Sequence, residues 1–346
     1  MTLKRVALVY RSDSSFVQRD REILRSAFRV TNVCWQGKRS IPRLALSVLR
    51  SDAAFSWFAL DHAYGACRLA RLFGKRSLVV VGGVDAARRP DMNYGVHLDP
   101  RMGPRSRYAL AHSDRVLVVD ESLRQEIRTN TGIDRPDIVT VHLGFDTDVF
   151  SPDDGPKRNV LTVGIVDDVN LARKGLMTFV KAAAKIPDLP FVLVGGRPNE
   201  ATDKLRSLAP ANLDIRGRLT HEELIEQYRR AKVYVQASRY EGLPTALGEA
   251  MACACVPVGT RIAGIPTLMG ETGYYVPPDD PEATALAIRK AFDLGDGKQA
   301  RARIIERFAV DRRRRLLIDL VNATVEGRIE AVRASQSTEG SRGGPG

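Results

Sequence analysis

The chain has 346 residues, 44% hydrophobic and 27% charged, which suits two domains with a core each and excludes a disordered or fibrous protein. Its net charge of +12 calls for an anionic partner or surface. No apolar run approaches the ~18 residues of a membrane-spanning helix. The opening MTLKRVALVY reads directly as a strand rather than a cleavable leader. Basic residues are spread along the whole chain without zinc-ligand spacing, interleaved aromatics or a helix-turn-helix pattern, so nucleic acid is not expected. Cys34, Cys67, Cys253 and Cys255 form no C-x-x-C pair and read as reduced thiols of a cytoplasmic protein.

In chain order, Lys4 to Tyr10 is a Val- and Leu-rich run of the kind buried on both faces of a parallel sheet. After a turn at Arg11 to Ser15, helical spacing covers Phe16 to Phe28. Val30 to Trp35 reads as a strand, Ile41 to Leu49 as a helix and Ala53 to Leu60 as a strand. A helix then runs to Leu72 before Gly74, and Leu78 to Val81 is a fourth strand. Alternation of this length implies βαβ units and a parallel sheet. Ligands of such sheets sit beyond the carboxyl ends of the strands, which singles out Asp13, His62 and Asp85. Asp13 and His62 are acceptor-side candidates. Competing structural readings are a helix N-cap for Asp85 and a helix start for His62. Asp91 to Arg107 reads as an irregular basic loop, followed by a strand at Arg115 to Val119 and a helix at Glu121 to Thr129.

The second half begins near Pro156. Strands are expected at Asn159 to Val166, Phe191 to Val194, Leu213 to Leu219, Ala231 to Val235, Val256 to Val258 and Tyr274 to Val276. Pro257 argues for an edge position or a strand start. Helices are expected after Lys174-Gly175, at His221 to Arg230, at Pro281 to Leu294 and at Arg301 to Val332. Glu222 and Glu223 in a first turn suit the helix dipole.

Ser238 to Gly264 reads SRYEGLPTALGEAMACACVPVGTRIAG. A strand runs out into a loop carrying Glu241 and Gly242, and Pro244 suits the first position of a helix that holds Glu249. Free N–H groups and the positive dipole end at such a helix start make a phosphate socket. A carboxylate one turn further in can reach sugar hydroxyls. The string S-x-x-E-G-x-P-x-x-x-x-E-A-M-A resembles the signature of the retaining GT-B glycosyltransferases of family 4, the glycosyl transferases group 1.

The resemblance implies an α/β GT-B fold: two Rossmann-like, doubly wound parallel-sheet domains facing each other across a cleft. An acceptor-side domain would span 1–150 and a nucleotide-sugar domain 151–305. A C-terminal helix over 306–334 would cross back to the first domain, and 335–346 would be a disordered tail. It implies Glu241 at the donor sugar, Glu249 on the ribose, and Gly242 and Leu243 N–H groups nearby. Lys174 and Arg173 would neutralise the diphosphate, with Gly217 and Arg218 backbone beside the nucleobase. The family's first-domain His is absent from GGVDAA, which leaves Asp85 as the substitute catalytic candidate. The usual Arg after Gly164 is Ile165. Asp146-Thr147-Asp148 spells the D-x-D that holds a metal-bound pyrophosphate in another glycosyltransferase fold, but its setting resembles a linker more closely.

The implied activity is transfer of a sugar, with retention, from a nucleotide-diphosphate sugar to a glycan, lipid-linked or small-molecule acceptor in polysaccharide or glycolipid synthesis. No metal and no cofactor is implied, and the charge adds an anionic membrane surface as a partner. A dehydrogenase would need G-x-G-x-x-G and a P-loop enzyme G-x-x-x-x-G-K-[ST]; the sequence has neither. The other reading that stays open is a non-catalytic GT-B partner subunit.

Overall fold

In the computed structural model, which describes residues 3–328, the Val-rich runs become parallel strands of two six-stranded sheets. Contacts divide the chain into two units. The first takes the chain up to Arg88, Gly95–Val141 and the chain from Arg313; the second takes Arg89–Tyr94 and His142–Arg312.

The first unit comprises β1 (Arg5–Tyr10), α1 (Ser15–Arg25), β2 (Arg29–Cys34), α2 (Ile41–Leu49), β3 (Ala53–Trp57), α3 (Asp61–Leu72), β4 (Arg76–Val81), α4 (Met102–His112), β5 (Arg115–Val118), α5 (Ser122–Thr131) and β6 (Val139–Thr140). Strand order is β2-β1-β3-β4-β5-β6 with every neighbour pair parallel. The inner strands β3 and β5 are buried at every residue, as expected for a sheet covered on both faces. Right-handed crossovers around this order place α1 on one face and α2, α3 and α4 on the other, and these three pack side by side.

The second unit runs β7 (Asn159–Val163), α6 (Asp168–Arg173), α7 (Leu176–Ala184), β8 (Phe191–Val194), α8 (Glu200–Leu208), β9 (Leu213–Arg216), α9 (His221–Arg230), β10 (Ala231–Gln236), α10 (Thr245–Ala252), β11 (Val256–Thr260), α11 (Gly264–Met269), β12 (Tyr274–Val276), α12 (Pro281–Leu294) and α13 (Lys298–Phe308). Its order is β12-β11-β10-β7-β8-β9, again all parallel. Thr220 and Glu223 start α9 with a reciprocal capping box. Gly248 lets α10 press onto Phe145, whose ring carbons lie 2.0–2.5 Å from where a Cβ would stand.

The last helix, α14 (Val310–Val325), belongs from Arg313 onward to the first unit. There Arg313 is buried and pairs with Asp20 through two bonds of 2.6 and 2.7 Å, while Trp57 Nε1 donates to the same carboxylate at 2.9 Å. Such a pair, once buried, is costly to break on one side only.

Four expectations change. Met102–His112 is a helix that takes in the end of the irregular loop expected over Asp91 to Arg107: Gly103 and Pro104 dilute its signal, yet Pro in a first turn forfeits no intrahelical bond. The helix expected from Arg301 is two helices, α13 and α14. Ala309 between them is extended and bridges Phe145, which donates to Phe308 O at 2.8 Å and accepts from Val310 N at 2.9 Å. Pro257 lies in β11, which is inside the sheet. β12 pairs with β11 only from Val258 onward, so Pro257 sits beyond the end of that ladder. Pro244 is the N-cap of α10, not its first helical residue. The expected tail, 335–346, and the end of the expected C-terminal helix lie outside the described residues.

Candidate active site

At the carboxyl end of the second sheet, β10 delivers Gln236, Ser238 and Glu241, and α6 delivers Arg173 and Lys174. Two backbone details bring these segments together. Gly175 adopts φ +63°, and a Cβ there would stand 2.0 Å from Ala237 O, so only glycine permits the approach. Arg239 N then donates to Arg173 O at 2.8 Å. Gly164, at the end of β7, leaves room for the Lys174 chain, whose Cδ lies 2.7 Å from where a Cβ would be.

Glu241 is buried at 7% exposure, and both its oxygens are engaged. Oε1 accepts from Lys174 Nζ at 3.1 Å, Gln236 Nε2 at 3.1 Å and Ser238 Oγ at 3.0 Å; Oε2 faces Arg173 Nη1 at 3.4 Å. Burial pushes the Glu241 carboxyl up, but the charges of Lys174 and Arg173 and their hydrogen bonds outweigh it and hold it below its usual range. Burial also works against the Arg173 charge, and Glu241 together with Tyr94 and Asp167 more than offsets it. Asn170 Oδ1 accepts from Arg173 Nε at 3.0 Å and Nη2 at 2.7 Å, fixing the guanidinium plane. Tyr94 covers that guanidinium, its ring centroid 4.9 Å from the Arg173 carbon, and also meets Tyr240 at 5.4 Å.

The helix after this cluster, α10, starts without a side-chain cap. Among the described residues, neither Gly242 N nor Leu243 N donates to a protein acceptor. Its first turn adds further N–H groups without intrahelical partners. Glu249 lies a turn inside, at 5% exposure, and accepts from Tyr228 Oη at 3.1 Å. Burial and the neighbouring carboxylate raise the Tyr228 phenol well above its usual range, so it stays a donor. Gly217 and Arg218 lie exposed just past β9, three strand positions from β10. Gly195 N and Gly196 N both donate to Arg216 O, at 3.1 and 2.8 Å, which ties the β8 and β9 ends together.

The first-unit candidates are placed differently. Asp85 is fully buried and turned into its own loop: Oδ2 accepts from Ala59 N at 2.8 Å, and Oδ1 from Gly82 N and Gly83 N at 3.0 Å each. Burial raises its carboxyl, against the pull of those N–H groups. His62 is buried in α3 with Nε2 2.6 Å from Trp57 O. Asp13 is exposed and pairs with Arg21. Among the described residues no hydrogen bond or ion pair joins these three to one another. Asp146 Oδ1 accepts from Asp148 N and Val149 N, at 3.1 Å each, as a turn former. Among the described residues no three His, Cys, Asp or Glu are grouped as metal ligands.

Sequence reasoning passed over Gln236, Asn170 and Tyr228, which hold Glu241, Arg173 and Glu249. It also passed over Tyr94, which it left within the irregular basic loop Asp91 to Arg107. Arg89 and Tyr94 exchange backbone bonds of 2.8 and 3.0 Å, and this small hairpin belongs to the second unit, where Asp91 pairs with Arg239 at 3.0 Å. Asn170 and Tyr228 had a readable local signal in their spacing to Arg173 and to the capping box; Tyr94 had none.

Residues 157–293 match the family described as glycosyl transferases group 1. Over 210 residues the chain is 31% identical to an alpha-maltose-1-phosphate synthase of Mycolicibacterium smegmatis, covering 54% of each protein. Over 203 residues it is 30% identical to an MMP alpha-(1->4)-mannosyltransferase of Mycolicibacterium hassiacum, covering 54% of this chain and 49% of that one. The chain thus spans about half the length of the curated relatives it matches. Among solved structures, sucrose-phosphate synthase from Thermosynechococcus elongatus superposes with a TM-score of 0.76 at 18% identity, over 92% of this chain and 98% of that one. Anabaena HepE in complex with UDP-glucose gives 0.74 at 11%, over 92% and 100%. These are GT-B structures, and the chain has their α/β fold.

Proposed function

Because residues 157–293 form a glycosyl transferases group 1 domain, we propose that the chain is a glycosyltransferase that moves a sugar, with retention, from a nucleotide-diphosphate sugar to a hydroxyl acceptor. The observation that carries this reading is the Glu241–Lys174–Arg173 cluster beside the uncapped start of a helix that holds Glu249. Breaking the sugar–phosphate bond leaves negative charge on the diphosphate. Two fixed cations and the N–H groups of Gly242, Leu243 and the first turn of α10 stabilise that charge in a protein-lined site. An ammonium has three N–H donors, and Glu241 takes one from Lys174. Glu241 keeps both cations in place before the donor arrives, and the resemblance assigns it to the donor sugar. Glu249, held by Tyr228, serves the ribose. At ~4.8 Å per strand, the β9 end with Gly217 and Arg218 is about 14 Å along the sheet from β10, room for the base of an extended nucleotide.

The donor charge is handled by protein groups, so the proposal includes neither a metal nor a cofactor. The acceptor is a glycan, a lipid-linked glycan or a small molecule, used in polysaccharide or glycolipid synthesis at the cytoplasmic face of a membrane whose anionic surface suits the +12 chain. No helix among the described residues is long and apolar enough to cross a membrane. Asp85 enters as the residue that shapes the loop after β4. The test is calorimetric titration with UDP, GDP, ADP, CDP and dTDP. Micromolar binding of one nucleotide, weakened in Glu249→Ala and Lys174→Ala, supports the reading; no binding by a folded sample rejects it. A second reading, a partner subunit that binds without turnover, is favoured by one observation: Ile165, 44% exposed, stands where the family places a cation. Binding with no transfer across a panel of sugars and acceptors would identify it.

A further inference from the structure

The helical layer α2–α4 of the first unit has a composition unlike the rest of the chain. Residues 36–51, 62–76 and 100–112 carry eleven Lys and Arg and no Asp or Glu. Only one of these cations, Arg76, has an acidic partner among the described residues, Asp114 at 2.8 Å. Exposed large apolar side chains fall on the same layer: Ile41 is 47% exposed, Leu46 47%, Leu49 50% and Leu72 74%. On α2 the exposed positions include Arg43, Leu46, Leu49 and Arg50, so cation and leucine alternate on one face. Between α3 and α4, half-buried Tyr64 and Tyr108 meet edge to face at 5.1 Å, and Arg68 Nη1 donates to Tyr64 Oη at 2.9 Å.

We propose that the outer face of α2–α4 is a docking surface for an anionic lipid bilayer, its arginines on the headgroups and Leu46, Leu49 and Leu72 in the upper acyl region. The proposal gives a location to the membrane partner in the functional reading, but it stands on surface chemistry and not on the nucleotide site. Each cation near an anionic leaflet attracts it independently, and apolar side chains add transfer energy that salt does not screen. Two other occupants fit less well. A nucleic acid would use the arginines and leave the leucines against a phosphate backbone. A second copy would set two cationic faces against each other, with the largely buried Asp61 at the start of α3 as their one carboxylate.

The experiment is flotation of the full chain with phosphatidylcholine vesicles, with and without phosphatidylglycerol, at low and high salt. Wild type is expected to float only with the anionic vesicles. Arg43→Glu/Arg50→Glu/Arg71→Glu should lower partitioning at least about 100-fold. Leu46→Ser/Leu49→Ser/Leu72→Ser should lower it at least about tenfold and leave a remainder that high salt abolishes. All these side chains are exposed, and a matching thermal melt shows that the variants fold. Absence of flotation at low salt, equal flotation on neutral vesicles, or variants that float like wild type would overturn the proposal. So would duplex DNA or RNA that outcompetes vesicles and is insensitive to the leucine variant. Nucleotide titration of the same variants should match wild type. Loss of nucleotide binding with flotation retained would strike at the transferase reading alone.

Discussion

Both sheets are six-stranded and parallel, ordered 2-1-3-4-5-6 in the first unit and 3-2-1-4-5-6 in the second when strands are counted within each, but they use their carboxyl ends in opposite ways. In the second unit a carboxylate faces two cations, and a helix start leaves N–H groups free: charges are held in place with donor capacity remaining. In the first unit the strand ends carry Asp85, buried in the loop after β4, and His62, buried in the first turn of α3, and both are held by backbone groups. An anionic ligand is drawn to the cations and helix start of the second unit, whereas in the first unit the backbone N–H groups of Ala59, Gly82 and Gly83 are spent on Asp85. Where a polar side chain ends up, on ligand or on backbone, depends on which N–H groups the local loop leaves unpaired.

The comparison can be broken by mutation. The largest effects belong to the second unit: Lys174→Ala and Glu249→Ala should each reduce nucleotide affinity or transfer about 100-fold or more, by titration and by sugar-transfer assay, with Lys174→Ala losing a fixed cation at the leaving group. Next, Glu241→Gln leaves two half-buried cations facing each other and should cost about 3 kcal/mol in denaturant unfolding. Its pH dependence has a definite sign. The folded carboxyl titrates below the usual 4.5, so its stabilisation is complete above that value and is lost as pH falls through its own lower one. The gap between wild type and Glu241→Gln should therefore be constant from neutral pH to about 5 and close in stronger acid. A gap that persists unchanged in acid would remove the ion-pair account.

In the first unit, Asp85→Asn places an amide N–H against backbone donors and should cost about 2 kcal/mol of stability. Nucleotide affinity of the folded fraction should remain unchanged. A large loss of turnover without loss of stability would instead make Asp85 catalytic and erase the contrast. The smallest effect sharpens it: Ile165→Arg restores a cation after Gly164 and should raise diphosphate affinity a few-fold, in keeping with about 1 kcal/mol for one more solvated ion contact. A neutral result would show that Arg173 and Lys174 already saturate the site.

By itself, the sequence determined the βαβ alternation, the parallel sheets and the Glu241–Glu249 element. Each is written in local signals: apolar runs, a glycine or proline stop, and a loop-to-helix string. Helices such as Ile41–Leu49 and His221–Arg230 fall where their spacing placed them. Only the tertiary structure decided what long-range packing controls. It set Pro257 inside a sheet, because β12 is too short to pair beside it. It broke the last helical run at Ala309, because Phe145 offers that residue backbone partners from far along the chain. It carried Tyr94 onto Arg173 and turned Asp85 inward. A hydrogen bond or a ring contact depends on where two distant segments meet, and side-chain spacing within one segment holds no record of that meeting.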